Sequence, residues 1–458
     1  MKIRSFKLSI IIILILMSFF QVMRLWFGDV SNRNFFYNFM ANKDSYGELL
    51  FDDAPLLNPI TMAVHYPQID QDHFFIIHKD RLEYSELHLT NRRIIQDIIR
   101  YGKNEGIAVV DWNLFWNSQS VIMKLPFSMS YGDLLEDTKI VSSVSDINYV
   151  FNYLVIIPST NANRALKCYL VNVEQGYAME LSYKNAFGSS NNNRLISIVN
   201  NIYSKQTFPT YLATKKIGLR RFNQNVFLPV EDVNVYSIRI SEPFFNEEGF
   251  DERGLESYIN RFFANPAAKY LIRDESTWTY RDEKSVVKYN EIGVIEYTDL
   301  TVRNQVNDTS LTQAYRIAKR FLDNSESIDE NQYYLKNYEV TSKEIILYFN
   351  YRYNNFDFVI SEDLKNKLSI KAPIEVRISD EKVAYYKRWI VEWETNIFEF
   401  KEVDVNYTKA LDKYVELLAR QTQYIEDMYL AYFIEELNYN ATLNWIIESD
   451  KKYVVHLD

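Results

Sequence analysis

The chain has 458 residues, enough for two or three domains of ordinary size, and its 47% hydrophobic, 16% aromatic and 24% charged residues exclude a disordered or collagen-like chain. A formal charge of −10 and a pI near 5.3 argue against nucleic acid as a partner, because that affinity rests on cations facing phosphates. With one cysteine, Cys168, the chain can form neither an internal disulfide nor a thiolate zinc cluster.

Lys2, Arg4 and Lys7 precede an apolar run from Leu8 to Met23, broken only by Ser9, Ser18 and Gln21, and then come Arg24, Leu25, Trp26 and Phe27. A spanning helix takes about 20 residues, so 8–27 is read as a transmembrane anchor, with Arg24 snorkelling and Trp26 at the interface. A cleaved signal peptide is the competing reading. Against it, Gln21-Val22-Met23-Arg24 offers no small residues for cleavage, and no cysteine follows for a lipid anchor. The three leading cations keep residues 1–7 in the cytoplasm and place the remainder outside. No second run of spanning length occurs, so the expected protein is a single-pass cell-membrane protein. Setting aside Lys2, Arg4, Lys7 and Arg24 leaves the external body at −14, a charge that anionic lipid repels.

Three external α+β domains are expected, over 28–215, 216–335 and 336–458. In the first, Phe74 to Ile77 reads as a short strand, and Asn91 to Tyr101 as a helix with Ile94, Ile95, Ile98 and Ile99 on one face. Tyr149 to Ile157 is a buried strand. Lys167 to Val173 and Tyr177 to Leu181 form a hairpin in which Gly176 supplies a positive φ, and Asn193 to Tyr203 is a second amphipathic helix. In the middle domain Asp251 caps a helix to about Ala264, with Leu255, Tyr258, Ile259, Phe262 and Phe263 as its inner stripe. Four short strands follow, at Lys269–Arg273, Thr277–Tyr280, Ser285–Tyr289 and Val294–Tyr297, and antiparallel sheet with helix on one face is the expected arrangement. Next come a helix over Ser310–Leu322, strands at Glu344–Tyr353, Ile374–Ile378 and Val383–Trp393, a helix from Tyr407 to about Arg420, and closing strands at Leu443–Ile447 and Tyr453–His456.

Chemistry-bearing residues are sparse. Asp70, Asp72, His73, His78 and Asp80 are the densest set of potential metal ligands, but across a strand His73 and His78 point to opposite faces, so a solvated strand edge is expected. His65, His88 and His456 are scattered. Ser379-Asp380-Glu381-Lys382 matches the Ser-x-x-Lys spacing of penicillin-recognising enzymes, whose serine opens a helix; here the tetrad joins two strand-like runs and reads as a charged hairpin turn. Glu247, Glu248, Asp251 and Glu252 lie beside Gly249 and Gly254, a surface-loop setting, whereas a glycosidase needs two carboxylates across a cleft. Cys168 reads as a buried small hydrophobe. Tyr348, Tyr351 and Tyr353 read as strand alternation before a glycan platform. No catalytic, metal or cofactor residue is assigned, and no cofactor is expected.

The order of these pieces resembles a known family. The segments carrying the resemblance are Ile259-Asn260-Arg261-Phe262-Phe263-Ala264-Asn265-Pro266, Trp278-Thr279-Tyr280, Gly293-Val294-Ile295-Glu296-Tyr297, Ala314-Tyr315, Leu347-Tyr348-Phe349-Asn350-Tyr351-Arg352-Tyr353 and Ala372-Pro373-Ile374-Glu375-Val376. With the N-terminal anchor they make the chain similar to the YycH family of regulatory proteins of low-GC Gram-positive bacteria. The resemblance implies an accessory protein without catalytic residues. It would modulate the WalK (YycG) sensor histidine kinase together with the single-pass protein YycI, and so affect cell-wall metabolism. Coupling through the membrane would use Ser18 and Gln21, three apart on one helical face; the alternative for Gln21 is a place near the headgroups. An anchored cell-wall glycan-binding protein or hydrolase is the alternative function, and an envelope chaperone a third.

Overall fold

Within the strand Val150–Ile157 the run Tyr153–Ile157 is apolar without alternation, as a strand covered on both faces should be. In the computed structural model it lies inside a nine-stranded sheet. The structure describes residues 55–67, 73–140, 148–205, 208–219, 221–223, 225–246, 249–274, 276–302, 309–325, 332–418, 423–436 and 440–457. The anchor read over 8–27 lies outside them, as do Ser18, Gln21, Asp70, Asp72, Glu247 and Glu248. Among the described residues no helix is long and apolar enough to cross a membrane.

From edge to edge the first sheet runs Lys103–Val109, Tyr177–Tyr183, Leu166–Asn172, Val150–Ile157, Ser120–Ser130, Thr61–His65, His73–Ile77, Thr210–Ala213 and Phe227–Pro229. The helices Leu82–Tyr101 and Ser190–Lys205 pack on each other over one face. There Asn91 Nδ2 donates to the sulfurs of Met62 and Met123, each at 3.7 Å. The opposite face buries Ala63, Phe74, Ile122, Tyr153 and Tyr169 against Phe115 and Trp116 of the short helix Trp112–Trp116. The expected hairpin forms, with Gly176 at φ 71°. The first helix begins at Leu82, nine residues before the expected start, because Tyr84 and Leu87 extend its buried stripe through a mostly polar turn.

The second sheet has 14 strands. The meander Tyr270–Arg273, Thr277–Arg281, Ser285–Asn290 and Val294–Asp299 continues through Lys382–Trp389 and Ile374–Ser379 to Ile345–Tyr353. Beyond that strand lie Phe356–Ile360, Asp427–Ile434, Asn440–Glu448, Val233–Ser241 and Glu392–Val403, while Tyr333–Val340 pairs with Ile345–Tyr353 and Lys452–His456 with Asn440–Glu448. Its pairings are antiparallel except that of Phe356–Ile360 with Asp427–Ile434. The helix Leu311–Ser325 lies across this sheet, and Phe321 meets Phe262 and Tyr386 at centroid distances of 6.0 and 5.3 Å. Asp251 caps Glu252–Ile259 by accepting from the Gly254 N–H at 2.9 Å. The α-helix stops at Ile259 and passes into a 3-10 turn over Asn260–Phe262, which still buries Phe262. The architecture is thus mixed helix and sheet, and Pro55–Asp458 forms one compact unit.

Candidate functional site

The two sheets meet along a polar seam built from charged residues that interrupt apolar strands. Lys124 lies within Ser-Val-Ile-Met-Lys-Leu and Asp427 opens the strand Asp427–Ile434. Their side chains pair across the seam, Nζ to Oδ2, at 2.5 Å. Beside them Asp357, 8% exposed, accepts from Tyr334 Oη at 2.5 Å. It also pairs with Lys336 Nζ and with Arg352 Nε, each at 3.4 Å. Burial works to raise the Asp357 carboxyl, but Lys336 and then Arg352 hold it below the ordinary carboxylate range. Lys336 is kept well above the usual lysine value by Tyr334, Asp357 and Tyr429, against the opposing effect of burial. Glu448 accepts from Tyr429 Oη at 2.7 Å and pairs with Lys452 at 2.8 Å.

Lys124, Lys336, Arg352, Asp357, Asp427 and Glu448 line a cavity of about 300 Å³, with Ile76, Phe227 and Pro126 on the first-sheet side and Phe356, Met428 and Leu430 on the second. His78 also lines it. Burial, reinforced by Arg352, pushes its imidazole down to about 4, so it is neutral near pH 7. Buried charges such as Arg352 and Asp357 are costly unless paired, and the pairing explains how the seam tolerates them. A larger, more open cleft of about 620 Å³ lies where the helix Glu252–Ile259 faces Arg388, Glu392 and Trp393. Arg388 donates there to Tyr351 Oη at 2.7 Å and to Tyr258 Oη at 3.4 Å.

Of the residues singled out from sequence, His78 lines the seam cavity rather than a solvated strand edge and Asp251 lines the open cleft, while the other described ones lie elsewhere. Ser379 and Lys382 face each other at the base of a two-residue hairpin, and Ser379 Oγ donates to the Lys343 carbonyl at 2.9 Å, so the tetrad is a turn. Among the described residues no three His, Cys, Asp or Glu side chains gather as metal ligands. His65 is buried, bonded to the Ser118 carbonyl at 3.0 Å and stacked on Phe74. His88 bonds the Leu57 carbonyl at 2.9 Å, and His456 bonds Asn444 Oδ1 at 2.9 Å. Cys168 is fully buried, and burial pushes its thiol up, away from thiolate reactivity. Tyr348 and Tyr351 are buried while Tyr353 is half-buried. Sequence reading missed Lys124, Arg352, Asp357 and Asp427. Their signal was a charge at an inward position of an apolar strand, which becomes informative only once its partner strand is known.

No protein-family model and no curated protein matches the sequence. Among solved structures, the crystal structure of YycH from Bacillus subtilis is similar, with a TM-score of 0.53 and 16% identity over 88% of this chain and 95% of that chain. The resemblance read from sequence and the likeness of structure name the same protein, and the chain carries a YycH-like fold.

Proposed function

We propose that this protein is a non-catalytic, membrane-anchored regulator of a sensor histidine kinase of the WalK (YycG) type. It works outside the cell by protein contact, alongside a YycI-like single-pass protein. The observation that carries this reading is the YycH-like fold, which spans nearly all of both chains. The N-terminal cations and the apolar run over 8–27 support a single-pass topology with the body outside, and Ser18 and Gln21 are the proposed contacts between membrane helices. Regulation then follows from unequal affinity for the two signalling states of the kinase.

Affinity isolation from detergent extracts tests it. The reading expects a histidine kinase and a second single-pass protein to co-purify in stable proportion, and expects the Ser18→Leu, Gln21→Leu double variant to lose part of that recovery. Muralytic turnover by the purified protein that disappears on changing a single carboxylate or Ser379 would replace the regulator with an anchored hydrolase.

A further inference from the structure

Arg352 is 6% exposed and carries five N–H donors in a rigid fork. Among the described residues its guanidinium makes one hydrogen bond, from Nη1 to the Ile60 carbonyl at 3.4 Å, besides the oblique ion pair to Asp357. Its buried Nε has no hydrogen bond. Asn225, 2% exposed, uses Nδ2 on Asn223 Oδ1 at 3.0 Å, and its own Oδ1 is buried without a partner. His78 Nδ1 is likewise buried and unpartnered. All three side chains line the 300 Å³ cavity of the seam. A buried polar atom left unpaired costs roughly 1–3 kcal/mol, and native proteins rarely leave one so. Arg352 Nε faces the likewise unbonded Asp357 Oδ1 at 3.4 Å, which leaves two orphans around one cavity, His78 Nδ1 and Asn225 Oδ1, to call for an occupant.

The wall states its chemistry. Lys124 cancels Asp427, Lys452 cancels Glu448, and Arg352 and Lys336 share the single carboxylate Asp357. Lys452 answers Glu448 from behind the wall, so with His78 neutral one positive charge is uncompensated. The terminal nitrogens of the rigid Arg352 guanidinium, whose Nε is taken by Asp357, match a carboxylate. Asn225 Oδ1 asks for a donor, and Ile76, Phe227, Phe356 and Met428 offer an apolar bed. The volume sits at the small end of ligand pockets. We propose that the cavity between the two sheets binds a small hydroxy carboxylic acid with an apolar body, its carboxylate on Arg352 and its hydroxyl donating to Asn225.

Binding here and kinase regulation stand or fall separately. Calorimetry on the full-length protein in detergent, with mandelate as probe, tests the site. Mandelate should bind saturably, and its neutral amide about tenfold more weakly or worse, a difference of about 1.4 kcal/mol. Phenylacetate, which lacks the hydroxyl, should fall between them. Arg352→Gln should abolish acid binding. Because that change also strips Asp357 of a partner, Asn225→Leu, which touches no ion pair, is the second variant. It should erase the preference for mandelate over phenylacetate and leave phenylacetate binding unchanged. An absence of saturable binding by either acid at millimolar concentration, equal binding of acid and amide, or a preference that survives Asn225→Leu would overturn the proposal and leave the cavity to water.

Discussion

Glu242 shows how one residue sets a pH dependence. It is 9% exposed, accepts from Tyr289 Oη and, at 3.1 Å, from the Phe244 N–H. Burial is the main cause that pushes its carboxyl from 4.5 up to about 7, and Glu392 adds to it. Gly293 makes this burial possible: at φ 81° it has no Cβ, and one added there would meet Glu242 Cγ at 3.0 Å and the Ile390 carbonyl at 3.1 Å. An acid whose pKa is raised on folding favours the folded state below its unfolded value, and that contribution is lost as pH rises through the folded one. The fold should therefore lose about 3 kcal/mol between pH 4.5 and just above 7 through this group. Glu242→Gln keeps the acceptor and the shape but cannot ionise. In urea titrations the variant should match the parent near pH 4.5 and exceed it at pH 8; parallel curves for the two proteins across that range would remove Glu242 from the account.

At the scale of elements, the hairpin of Ile374–Ser379 and Lys382–Trp389 turns on Asp380 and Glu381, at φ 53° and 55°. Positive φ at both central residues is the type I′ geometry whose hand matches strand twist, and it is strained for a glutamate. Glu381 accepts from Gln313 Nε2 at 2.9 Å in an exposed setting, an interaction of small net value. Glu381→Gly should stabilise the protein by about 0.5–1 kcal/mol, read as a higher denaturant midpoint with an unchanged slope. A lower midpoint would mean that the Gln313 contact outweighs the turn. The same hairpin marks what sequence can convey. Alternation and turn residues revealed the meander from Tyr270 to Asp299 to within a residue or two, as well as the Asp251 cap, because those signals are local. Asp427–Ile434, Val233–Ser241 and Ser120–Ser130 went unassigned, and Glu392–Val403 was met only in its first two residues. These strands owe their place to distant partners. The candidate site consists of such strands, so its residues lay hidden in apolar runs.

For the whole molecule the question is whether the halves built on the two sheets unfold together. Several contacts cross between them besides Lys124 and Asp427. The Tyr338 hydroxyl donates to the Ser128 carbonyl at 3.0 Å, Ser310 Oγ donates to Glu136 Oε1 at 2.7 Å, and the Asn223 N–H donates to the Ile425 carbonyl at 2.8 Å. Shared contacts of this kind make opening one half costly for the other, so a single denaturant transition is expected. The ion pair is the most sensitive of them, because removing one member leaves a half-buried charge without its partner. Lys124→Met alone should cost about 2–3 kcal/mol and separate the transition into two. Adding Asp427→Leu should recover most of that loss, since an apolar pair of similar volume has no charge to desolvate. Chemical denaturation of the parent, both single variants and the double variant gives the coupling energy directly. Additive losses with one unchanged transition would show that the seam is held by its backbone and aromatic contacts, and that its charges serve the cavity rather than the fold.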